Sequence, residues 1–142
     1  MRTRMTAWIG GCAVVFCAAL TSAQEPPPAE YVQAMQSILA AVQTFGAFSE
    51  ADAESQDFEA AAAAATSAKT AFEYVREFWS DPSTDAGQLA EAGWAAALSA
   101  EVAADFASAE GVTFAAGEMS ETCMPCHTAH REQAEDGSFV IK

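Results

Sequence analysis

Short polar or glycine-bearing breaks cut the chain between Pro28 and Gly137 into four stretches whose apolar residues recur every three or four positions, and this division constrains the fold most. Pro26-Pro27-Pro28 is a stiff lead-in, and the spacing predicts a first helix over about Ala29 to Phe45, stopped by Gly46. Tyr31, Met35, Ile38, Leu39, Val42 and Phe45 make its apolar stripe. A second helix is predicted from about Asp52 to Trp79, with Phe58, Ala62, Ala65, Phe72, Val75 and Trp79 turned inward and Ser80-Asp81-Pro82-Ser83 as its stop. A third runs from Asp85, spaced with Gln88 like a capping box, to about Glu110-Gly111, with Leu89, Trp94, Leu98, Val102 and Phe106 on its core side. The fourth covers Thr113 to Arg131 and leaves a tail from Glu132 to Lys142. Alanine is abundant and strand-forming residues are scarce, so the run Ala60 to Ala65 reads as tight helix packing. Helices of this length on short loops predict an all-α antiparallel four-helix bundle.

The start of the chain has a different character. Arg2 and Arg4 precede thirteen uncharged residues, Trp8 to Leu20, and Thr21-Ser22-Ala23 supplies a small-residue exit. This pattern predicts a secretory signal over residues 1–23, cleaved after Ala23. An uncleaved anchor is the competing reading, but the apolar run is short for a bilayer, and lipid on Cys12 would leave almost no apolar segment before it. The expectation is an exported domain, residues 24–142, with no membrane span once the signal is gone.

That domain holds four basic residues, Lys69, Arg76, Arg131 and Lys142, against all twenty acids, a formal charge of −16. Nucleic acid is excluded as a partner by repulsion. The same charge either steers a basic redox partner toward the surface or serves solubility, and charge alone does not choose. Two cysteines remain, Cys123 and Cys126, and a bridge across two residues closes too small a loop to staple a domain.

Those thiols lie in Cys123-Met124-Pro125-Cys126-His127 on the fourth predicted helix. Two thiols three positions apart can each add to a vinyl group of one porphyrin, with the next residue's imidazole reaching the iron. A dithiol redox centre has the same spacing but sits at a helix N-terminus beside a βαβ sheet, and no sheet is predicted. A zinc site would draw on Cys123, Cys126, His127 and His130, yet four ligands within eight residues of one helix cannot close a tetrahedron without unwinding it. No acid–base or nucleophile constellation is visible, so the chain is read as a non-enzyme.

An exported four-helix bundle with Cys-x-x-Cys-His on its last helix resembles the cytochrome c-prime family, the class II c-type cytochromes. The likeness covers the architecture of residues 24–142 and, in motif terms, Cys123 to His127 with Arg131. It implies one haem c held by thioether bonds to Cys123 and Cys126, His127 as the proximal iron ligand, and Arg131 near a propionate or the imidazole. It also implies a periplasmic location, where such haem is attached, and a homodimer. The sixth iron position is left open between two residues. Ala34-Met35-Gln36-Ser37-Ile38 resembles the pattern of relatives with a first-helix methionine ligand, which makes Met35 the candidate, whereas alignment on Phe45-Gly46 places apolar Ile38 over the haem. A Met35-ligated iron implies one-electron transfer, and an open position implies binding of nitric oxide or carbon monoxide.

Other residues receive lesser expectations. His130 and Met119 share the helix of His127 and are poorly placed for the far side of the haem; His130 is expected in solvent or on a propionate. Met124 is expected to point away from the iron. Trp79, Trp94, Phe72, Phe106 and Phe114 are expected in the core, some of them against the porphyrin. The tail departs from the family pattern, and Phe139 and Ile141 are expected to fold back over apolar surface.

Overall fold

The computed structural model describes residues 26–80 and 84–141, so the predicted signal at residues 1–23 lies outside the described part. Four helices, α1 (Ala29–Glu50), α2 (Phe58–Phe78), α3 (Thr84–Asp105) and α4 (Ala109–His130), are followed by two short strands, β1 (Arg131–Gln133) and β2 (Phe139–Ile141). Cross-helix pairs fix the directions. Tyr31 at the start of α1 meets Trp79 at the end of α2, Arg76 pairs with Glu91 and Lys69 with Glu101 between α2 and α3, and Ser49 meets Thr113 between α1 and α4. Neighbouring helices are therefore antiparallel, and the predicted all-α four-helix bundle is the architecture found. No helix among the described residues is long and apolar enough to cross a membrane.

Helix boundaries show which local signals win. α1 does not stop at Gly46 but continues to Glu50. A glycine inside a helix costs about 1 kcal/mol relative to alanine. Burying Phe48, which packs edge-on against Phe58 at 5.0 Å, contributes roughly 1.5–3 kcal/mol and outweighs it. α2 begins later than predicted, because Asp57, not Asp52, is the cap and accepts the Ala60 N–H at 2.9 Å.

The α3 to α4 turn also falls earlier than predicted. Ala107 takes a left-handed φ of 50°, the Ser108 N–H reaches Ala103 O at 2.8 Å and the Ala107 N–H reaches Ala104 O at 2.9 Å. That is a Schellman stop made without the usual glycine. Ser108 then caps α4 by accepting from the Gly111 N–H at 3.2 Å, so Gly111 belongs to the first turn of α4.

The side of α3 that faces the core is the main surprise. Ala86, Ala90, Gly93, Ala97, Ala100 and Ala104 are buried in steps of three and four, whereas Leu98 and Val102 are exposed. Expecting the largest residues inside was wrong here, because α3 lies tightly against α2, whose own buried face is Ala61, Ala65, Ala68 and Ala71. Gly93 shows how close the approach is: a Cβ there would stand 2.8 Å from Phe72 Cδ1 and nearer still to two other ring atoms. Phe106 is 81% exposed and Phe114 66% exposed, which corrects their assignment to the core. Phe106 follows the last residue of α3, and Phe114 lies about 200° round α4 from buried Val112. Phe72 and Trp79 are buried as expected, and Trp94 is half-buried beneath the Arg76 guanidinium.

The tail is a hairpin with Arg131 opposite Ile141, Glu132 opposite Val140 and Gln133 opposite Phe139. It does fold back, but the buried residue is Val140; Ile141 packs on the core and Phe139 stays 45% exposed.

Candidate functional site

α1 and α4 touch least among adjacent helix pairs, and a cavity of about 490 Å³ opens between them, of the size that takes an organic cofactor. One wall is the last two turns of α4. Cys123, Cys126, His127 and His130 stand at i, i+3, i+4 and i+7, so all four face the cavity. Met124 and Pro125 between them are exposed and do not line the cavity. Thr122, one residue before the motif, is buried and donates to Met119 O at 2.8 Å.

The opposite wall is α1, where Tyr31, Met35, Ile38 and Val42 reach the cavity. Phe72 and Val75 of α2 and Leu89 of α3 line it further, and Arg131, Phe139, Val140 and Ile141 of the hairpin complete it. The structure thus brings Cys123, Cys126, His127, Met35 and Arg131 to one space. Ile38, the rival of Met35, shares that space and is the more buried of the two.

Burial sets the protonation states. It pushes both thiols above their ordinary value, Cys126 also through the neighbouring charges of Cys123 and Asp85. Burial, and then the Arg131 charge, lower His127 below its own. At neutral pH the thiols are protonated and the imidazole neutral. A dithiol redox centre needs the reverse shift, a thiolate stabilised by positive charge. A neutral imidazole is the form that binds iron.

His130 is not in solvent. Its side chain is 14% exposed, its Nε2 lies 3.1 Å from Asp85 Oδ2, and its ring packs on Trp79 at 4.9 Å. The Trp79 indole N–H donates to Tyr31 Oη at 3.0 Å, and burial raises the Tyr31 hydroxyl. Tyr31, Val42, Val75, Leu89 and Val140 line the cavity without having been given a role in the site from the sequence. Tyr31 sits one turn before Met35 on the same stripe, a signal that was present; strand pairing in the tail had none.

Among the described residues, no group of three or more histidine, cysteine, aspartate or glutamate side chains is arranged to hold a bare metal ion. The donor set suits a group that brings most of its own coordination: two free thiols three positions apart, one neutral imidazole beside them, and a facing methionine across an apolar space. Haem fits that description. Comparison with family models, with curated proteins and with solved structures finds no match for this chain.

Proposed function

We propose that the chain is an exported, periplasmic, monohaem c-type cytochrome of the cytochrome c-prime kind that carries single electrons. The observation that supports this best is the convergence of Cys123, Cys126, His127 and Met35 on one apolar cavity inside a four-helix bundle. Haem bound there would supply an iron that cycles between ferric and ferrous states. Cys123 and Cys126 would hold it by thioether bonds from the α4 wall, and His127, neutral at working pH, would give the proximal nitrogen. From the α1 wall Met35 would give the sixth ligand. Arg131 would pair with a propionate at the cavity's hairpin side, and the apolar lining would disfavour the more highly charged ferric state. The acidic exterior suits docking with a basic redox partner.

One observation favours a second reading. Ile38, buried on the wall that carries Met35, would leave the iron five-coordinate and open to nitric oxide or carbon monoxide if it, and not Met35, covers the haem. Absorption spectra of the haem-loaded chain decide between the two. A sharp low-spin ferrous spectrum unmoved by carbon monoxide, turning high-spin in Met35→Ala, is expected. A high-spin spectrum that shifts with the gas and is indifferent to Met35→Ala would replace electron transfer by gas binding.

A further inference from the structure

The hairpin begins where the α4 wall of the cavity ends, with Arg131 directly following His130. Four of its residues face the cavity, and Val140 is its one buried side chain, 7% exposed. A two-stranded hairpin is not stable alone in water, so its order depends on Ile141, which packs on the core, and on Val140, which is buried at the cavity. Its turn is closed by contacts within the hairpin. Gly137 holds a φ of +85°, Asp136 Oδ1 accepts from the Ser138 N–H at 2.9 Å and from its hydroxyl at 2.6 Å, and the Gln133 side-chain amide donates to Gly137 O at 3.2 Å. At the outer edge the Arg131 guanidinium lies over the Phe139 ring, 3.4 Å from its centroid.

We infer that the hairpin, residues 131–141, is the access-determining wall of the cavity, and that Val140 is the side chain that keeps solvent and external ligands from the space shared by Cys123, Cys126, His127 and Met35. It rests on the cytochrome reading for what occupies the cavity, but not for the closure itself. In that reading the hairpin favours electron transfer, since it narrows the route of small ligands to the iron. Arg131 has a second part here: stacked on Phe139, it ties β1 to β2 at the cavity edge.

Two variants test this: the chain ending at Ala134, and the full-length Gly137→Val, which forces a β-branched residue into the left-handed region and loosens the turn without removing it. On the haem-free chain from residue 24, whose only thiols are Cys123 and Cys126, the readout is their reaction rate with a bulky aromatic disulfide, with helix content followed by circular dichroism. Loosening the turn should speed labelling about tenfold at unchanged helix content, the fold-change that each 1.4 kcal/mol of lost closure gives. On the haem-loaded chain in a Met35→Ala background, carbon monoxide should bind faster in both variants. Equal labelling rates with helices intact, or equal carbon monoxide rates, overturn the inference. If truncation unfolds the bundle, Gly137→Val decides; if the haem-free chain does not fold, the carbon monoxide rates decide. A chain that takes up no haem at all refutes the cytochrome reading instead, and leaves the labelling rates to judge the hairpin.

Discussion

The seam between α2 and α3 and the gap between α1 and α4 are built from opposite materials. Alanines and Gly93 line the seam, and the helices close on one another until Phe72 rests over a glycine. Facing the gap, α1 carries Tyr31, Met35, Ile38 and Val42, and its side chains hold it off α4 around the cavity. Small residues let backbones approach and leave no room, whereas large residues on one wall facing cysteines and a histidine on the other leave a space of about 490 Å³. The bundle is closely packed along one pair of helices and open along the other.

The largest effect should come from undoing what holds α1 in place. Phe45, 2% exposed, anchors α1 below the cavity, and Phe45→Ala is expected to cost about 3–5 kcal/mol in urea unfolding. Next, Ala97→Leu in the seam should cost roughly 1–3 kcal/mol by overpacking, while Leu39→Ala at the open edge of the cavity, where Leu39 is 56% exposed, should stay within about 0.5 kcal/mol. If the two cost the same, the contrast between seam and gap is mistaken. Gly93→Ala sets a gain of about 1 kcal/mol in helix propensity against about 1–3 kcal/mol for the clash with Phe72. A net loss is expected, and, if the chain holds haem as proposed, a shifted absorption band as the Phe72 ring is displaced at the cavity it lines.

The smallest effect is a pH dependence of the haem-free chain. His127 is lowered from its ordinary 6.5, so its contribution is present above that pH and lost as pH falls. Cys123 and Cys126 are raised from 9.0, so theirs is present below that pH and lost as pH rises. Thermal unfolding should thus weaken at both ends, and Cys123→Ala with Cys126→Ala should reduce the alkaline limb, leaving the part due to Tyr31, and not touch the acid one. An alkaline limb unchanged by those substitutions would mean the thiols are not desolvated by the cavity.

Much of this was legible before any coordinates. Four helices followed from apolar periodicity and breaks, and the shared face of Cys123, Cys126 and His127 followed from the 3.6-residue repeat, whereas the burial of His130 against Trp79 and Asp85 did not. What misled was the weight given to size: Leu98, Val102 and Phe106 looked like a core stripe, but the buried side of α3 is made of alanine and glycine, whose signal is weak because they carry little hydrophobic area. The turn at Phe106-Ala107-Ser108 was hidden because Ala107 fills a position where glycine normally announces it. The hairpin was hidden because three-residue strands have no periodicity to read, and Gly137 marks only their turn.

Covalent attachment of haem to Cys123 and Cys126 is tested by intact mass spectrometry of the chain produced alongside haem-attachment machinery. The expected product is a chain lacking residues 1–23 and heavier by the mass of one haem, with the addition absent from Cys123→Ala/Cys126→Ala. A mass equal to the bare polypeptide would contradict it.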